Sequence, residues 1–93
     1  MPAKLVYRDK INIGPNEFVQ FVIWEVDPSV AASHHAYKYR LAYVVDEICV
    51  IRYDNEAGKG DHKHIGAIEI KTTFTSVAKL LTDFWADIEK YEG

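Results

Sequence analysis

Cysteine is almost missing from this 93-residue chain, in which Cys49 stands alone. No intrachain disulfide can form, and a reducing compartment is expected. Long apolar runs are missing too. None approaches the roughly 20 residues that a membrane-crossing helix needs. No apolar stretch follows Met1-Pro2-Ala3-Lys4, as it would in a secretory signal. The expectation is a cytoplasmic protein without a membrane partner. Excess charge of either sign is small: 11 Lys and Arg against 14 Asp and Glu leave a net charge of -3, unsuited to a general nucleic-acid coat. Repeats, low-complexity tracts and linkers do not occur, so residues 1–93 read as one domain.

What the chain does hold is apolar and aromatic. Hydrophobic residues make up 48% and aromatics 13%, enough to build a core rather than a disordered chain. Short β-rich runs are expected at 3–9, 17–26, 35–45, 48–54 and 65–71, with turns at 12–16 and 27–33. Alternation is cleanest in 35–45, where Tyr37, Tyr39, Leu41 and Tyr43 share one face and Lys38, Arg40 and Ala42 the other. Asp46-Glu47 reads as a two-residue turn. The closing run from Thr72 to Gly93 carries Val77, Leu80, Leu81, Phe84, Ile88 and Tyr91 on one helical stripe, with Thr73, Thr75 and Ser76 as capping options. These periods predict an α+β fold: an antiparallel sheet of four to five strands covered by a C-terminal helix.

Chemistry concentrates in Arg52–Gly66, "RYDNEAGKGDHKHIG". From His34 to His64, five Lys and Arg balance five acids, and all four histidines fall there. With a two-residue turn at Asp46-Glu47, partners on the flanking strands sum to 93. That register sets Arg40 opposite Tyr53 and Lys38 opposite Asn55, clustering cations and a tyrosine at the root of the loop. Gly58 and Gly60 flank Lys59, which suits a backbone cradle for phosphate, although the P-loop spacing is absent. His62 and His64, two apart, project to the same side of an extended segment. Asp61 and Asp54 are candidates to orient an imidazole. Histidine is suited to take and give protons near neutral pH, and Lys or Arg to neutralise a crowded phosphate. The set therefore suits transesterification of RNA. The candidate catalytic residues are His62, His64 and Tyr53, with Arg40, Arg52, Lys59, Lys63, Lys38, Gly58 and Gly60 as the phosphate or RNA contacts. This scheme needs no metal and no cofactor. A zinc site of His62 and His64 with Asp61 and His34 is the weaker alternative, because His-x-His alone is a common accident. Cys49 reads as a small core hydrophobe, not a nucleophile.

Taken together, "VYRDK", "HAYKYRLAYV", "VIRYDNEAGKGDHKHIG" and "LLTDFWADIE" resemble the TumE-type toxin family of prokaryotic type II toxin–antitoxin modules. The resemblance covers nearly the whole chain in order. Its motif positions are Arg52, Tyr53, Asp54, Asn55, Glu56, Gly58, Lys59, Gly60, Asp61, His62 and His64. Lys63 departs from the arginine often found there, and "AIEIKTTFTS" departs from a more acidic, proline-containing stretch. The resemblance implies a small toxin neutralised by a helix-turn-helix antitoxin, with RNA cleavage as the expected activity. The competing readings are a non-catalytic protein that docks a partner through residues 55–66, and a cofactor-dependent transferase modifying RNA or protein. A homo-oligomer is compatible with either.

Overall fold

The computed structural model describes residues 3–92. Met1, Pro2 and Gly93 lie outside the described residues, and with them the last residue of the expected helical run, Gly93. Six strands precede one helix: β1 (Ala3–Gly14), β2 (Glu17–Val26), β3 (Tyr37–Val45), β4 (Ile48–Glu56), β5 (Gly60–Ile65), β6 (Ile68–Lys71) and α1 (Val77–Glu92). They form one sheet in chain order, each strand antiparallel to the next. The α+β class is as expected, but with six strands rather than four to five. The additional strand comes from the supposed loop. Gly60 to Ile65 is a strand that pairs with β4, and Gly66, at φ 59°, turns the chain into β6. A positive φ is cheap for glycine, so the run 65–71 splits there.

One layer of side chains joins sheet to helix. Val19, Phe21 and Ile23 of β2, Tyr39, Leu41 and Tyr43 of β3, and Ile51 and Tyr53 of β4 meet Leu80, Phe84 and Ile88. The helical three are spaced four apart, as one buried stripe requires. Phe84 packs edge-on against Phe21 and Tyr53, with ring centroids 5.6 and 5.5 Å apart. Ser76 caps the helix: its Oγ accepts from Lys79 N at 3.1 Å. Among the described residues no helix covers the opposite face of the sheet.

The β3–β4 register differs from the sum of 93 by one residue. Val45 pairs with Ile48 and Val44 with Cys49, as the two-residue turn dictates, and Asp46 and Glu47 take φ of 50° and 68°. Tyr43 then pairs with Ile51, leaving Val50 as an extra residue in the ladder. This bulge moves every later pair to a sum of 94, so Arg40 lies opposite Asp54 and Leu41 opposite Tyr53. The expected pairing of Arg40 with Tyr53 is thereby overturned, since a one-residue slip exchanges the faces. Cys49, expected in the core, is exposed beside the bulge.

Candidate functional site

Strand parity divides the residues singled out above into two groups. Tyr53, Asp61 and Lys63 face the helix. Arg40, Arg52, Asp54, His62 and His64 face the uncovered side, because successive side chains in a strand alternate. Two rows of cross-strand partners run across that face. One reads Arg8, Val22, Arg40, Asp54, His62, Lys71; the other reads Lys10, Gln20, Ala42, Arg52, His64, Glu69. The rows are adjacent, so Asp54, His62 and His64 converge. Their ligating atoms all lie within 4.8 Å of one another.

Inside this cluster His62 is only 2% exposed. Its Nδ1 lies 3.1 Å from the carbonyl oxygen of Gly60, to which it donates. Its Nε2 lies 2.7 Å from Asp54 Oδ1, while Arg52 Nε sits 3.1 Å from Asp54 Oδ2. Glu69, which the sequence reading passed over, brings Oε2 to 3.6 Å from His62 Nε2 and 3.7 Å from His64 Nε2. Glu56 Oε1 stands 3.8 Å from His62 Nε2. Lys59 pairs with Glu69 at 3.1 Å. That bond raises the lysine's pKa and holds the Glu69 carboxyl below the usual carboxylate value. Among the described residues Asp54, His62 and His64 are the group placed to hold a metal ion, with the Glu69 carboxylate beside the two imidazoles. The signal for Glu69 was its place opposite His64 once β6 is recognised as a separate strand.

Several expected roles fall elsewhere. Asp61 does not orient His62. Its Oδ1 accepts from Tyr39 Oη at 2.8 Å and lies 2.8 Å from His35 Nε2 on the helix side. His34 is exposed in the 27–36 segment. Lys63 Nζ donates to Asp87 at 2.9 Å, and Tyr53 Oη donates to the same carboxylate. Tyr53 therefore does not stand beside the histidines. Gly58 gives its N–H to Ala31 O at 2.9 Å, and Gly60 has φ 76°, where a Cβ would come within 2.9 Å of Ala32 O. These glycines shape a three-residue hairpin turn packed on the 27–36 segment. Lys38 donates to the Asn55 carbonyl at 3.3 Å. Asn55 itself, wholly buried, accepts from Tyr39 N and donates to Tyr37 O and Ser33 Oγ. Its amide replaces the ladder where β3 and β4 separate. A cleft of about 390 Å³ between β6 and the helix is better enclosed than the open face. Its Tyr53, Lys63 and Asp87 are paired with one another, as are Lys79 and Asp83. The buried side-chain atoms without a hydrogen-bond partner among the described residues all fall in the open-face cluster, which is the better candidate.

The molecule is thus a small α+β protein whose uncovered antiparallel face carries a buried carboxylate–histidine cluster flanked by arginines. Residues 2–92 match the family described as Toxin TumE, and the chain belongs to that family. No curated protein and no solved structure matches it.

Proposed function

We propose that this toxin acts by cleaving RNA on the open face of its sheet, with the Asp54–His62–His64 cluster as the chemical centre. The observation that carries the reading is the juxtaposition of Arg40 and Arg52 with that cluster along two adjacent rows. Guanidinium groups match a phosphodiester's oxygens, and placing them beside the reacting atoms stabilises charge that develops there. Further out, Lys10 lies 4.3 Å from the Phe18 ring centroid and Arg8 5.8 Å from that of Trp24, both on the same face. Such cation–aromatic pairs suit an unpaired strand, whose bases stack and whose phosphates need neutralising. The exchange of protons between two free histidines is not favoured. One nitrogen of His62 is committed to Gly60, and the other points into the cluster instead of towards a substrate.

In this reading the reaction is attack of a ribose 2′-oxygen on the adjacent phosphorus. The bond to the 5′-oxygen breaks, the 2′ proton is lost, and a proton reaches the leaving oxygen. A helix-turn-helix antitoxin would silence the toxin by covering the same face. Purified toxin should cut single-stranded RNA and arrest a host on induction. Arg40→Ala should lower cleavage roughly 100-fold, while Lys79→Ala, on the helix side of the sheet and away from the open face, leaves it unchanged. Arrest of undiminished strength in Arg40→Ala and Arg52→Ala, each folded by circular dichroism, would remove the sheet face from the mechanism.

A further inference from the structure

Among the described residues four buried side-chain atoms lack a hydrogen-bond partner: Arg52 Nε, Asp54 Oδ1, His62 Nε2 and His64 Nε2. Buried polar atoms in folded proteins are nearly always paired. Arg52 Nε, a donor, faces Asp54 Oδ2 at 3.1 Å as an ion pair, and the other three, each able to present a lone pair, need a cause. The tautomer of His62 supplies part of it. A carbonyl can only accept, so the Nδ1 facing Gly60 O carries the proton, and in the singly protonated ring Nε2 presents a bare lone pair. That lone pair sits 2.7 Å from a carboxylate oxygen, yet the two are not aligned as donor and acceptor. Two lone-pair atoms this close repel unless a positive charge lies between them.

We propose that Asp54, His62 and His64, with Glu69 as the fourth ligand, bind one divalent transition-metal ion of the zinc class. The donor set is two imidazoles and two carboxylates. Imidazole suits Zn²⁺ and its neighbours, whereas Mg²⁺ and Ca²⁺ prefer oxygen alone. Bonds of about 2.0–2.1 Å in a tetrahedron separate ligand atoms by roughly 3.3 Å. Glu69 Oε2 stands 3.6 and 3.7 Å from the two imidazole nitrogens and must swing towards Asp54 to complete the tetrahedron, since only Asp54, His62 and His64 already bring their ligating atoms within 4.8 Å of one another. The 2.7 Å between Asp54 and His62 must widen as the ion enters. The surroundings are those of a metal site. Gly60 O fixes the ring of His62, Arg52 braces the other oxygen of Asp54, and Lys59 holds Glu69 near the cluster.

The fold explains why these four meet. Asp54 and His62 are direct partners across β4 and β5, His64 is two residues along on the same face, and Glu69 lies opposite His64. Three ligands are buried or half-buried, while Glu69 is 41% exposed. An exposed, exchangeable ligand leaves a position that a substrate oxygen can take, as in catalytic rather than structural zinc sites. Only this last step rests on the ribonuclease reading.

The test titrates chelator-stripped, full-length protein with Zn²⁺ alone in a calorimeter, and records the visible spectrum with Co²⁺. One Zn²⁺ per chain is expected, with a tetrahedral Co²⁺ spectrum and no heat from Mg²⁺. His64→Ala, at a half-exposed position, should weaken Zn²⁺ binding about 100-fold or more, and Glu69→Gln about 10-fold. His34→Ala should bind as the parent does. Absence of Zn²⁺ binding, or undiminished affinity in folded His64→Ala, overturns the site. Zn²⁺ bound without any RNA cleavage would keep the site and discard the ribonuclease. RNA cleavage by protein that binds no Zn²⁺ would do the reverse.

Discussion

Tyr39, Tyr43 and Tyr53 each end a buried ring in a hydroxyl that donates to a carboxylate: Asp61, the Glu17–Glu92 pair and Asp87 respectively. Burial first, and then those negative partners, push all three phenols above the ordinary value of 10.0. A group whose pKa rises on folding stabilises the fold fully below its unfolded value and loses that contribution as pH climbs past it. Alkaline titration should therefore show these tyrosines ionising together with loss of the circular dichroism signal, at pH above 10. Smooth ionisation near pH 10 with the fold intact would contradict their engagement. At this scale the sequence was a partial guide. Adjacent residues in a strand face opposite ways, so Asp61 could have been separated from His62 by parity alone once β5 was seen. The helix-side partner of Tyr53, Asp87, lies 34 residues away and had no local signal.

Among the elements, β2, β3 and the helix were legible because apolar periodicity wrote them plainly, and Ser76 was among the expected caps. β5 was not, because "DHKH" puts polar groups on a face that the helix does not cover. The bulge at Val50 was not either, since nothing in "ICVIRYD" distinguishes an extra residue from a rung. Its effect can be tested by two deletions. Removing Val50 makes the Tyr43–Ile51 and Val44–Cys49 pairs successive rungs and keeps Tyr53 facing the helix. That variant should fold with a loss of about 1–3 kcal/mol, from one half-buried side chain and its carbonyl's bond to Gly66 N. Removing Arg52 turns every later β4 residue to the other face and should abolish cooperative urea unfolding. Equal behaviour of the two deletions would show that the register is not set at Val50.

For the molecule as a whole, sheet and helix are joined by polar as well as apolar contacts. Burial would push the Asp87 carboxyl up, but bonds from Lys63 and Tyr53 outweigh it and hold the pKa below the usual 3.8. A lowered pKa gives stability that is complete above 3.8 and fades as pH falls through the folded value. Asp87→Asn should cost about 1–3 kcal/mol at pH 7, and the gap to the parent should close in acid. A gap unchanged between pH 7 and pH 2 would show that the carboxylate's charge does not matter there. Main-chain order has a further consequence. Each strand lies beside its neighbour in the chain, so the sheet can accrete by local zipping without distant segments having to find one another. Asp54 to Glu69 is one uninterrupted stretch within that meander. The cluster's internal alignment is thus set by two tight turns, the one before β5 steadied by the 27–36 segment, and depends on no pairing with the far β1 edge.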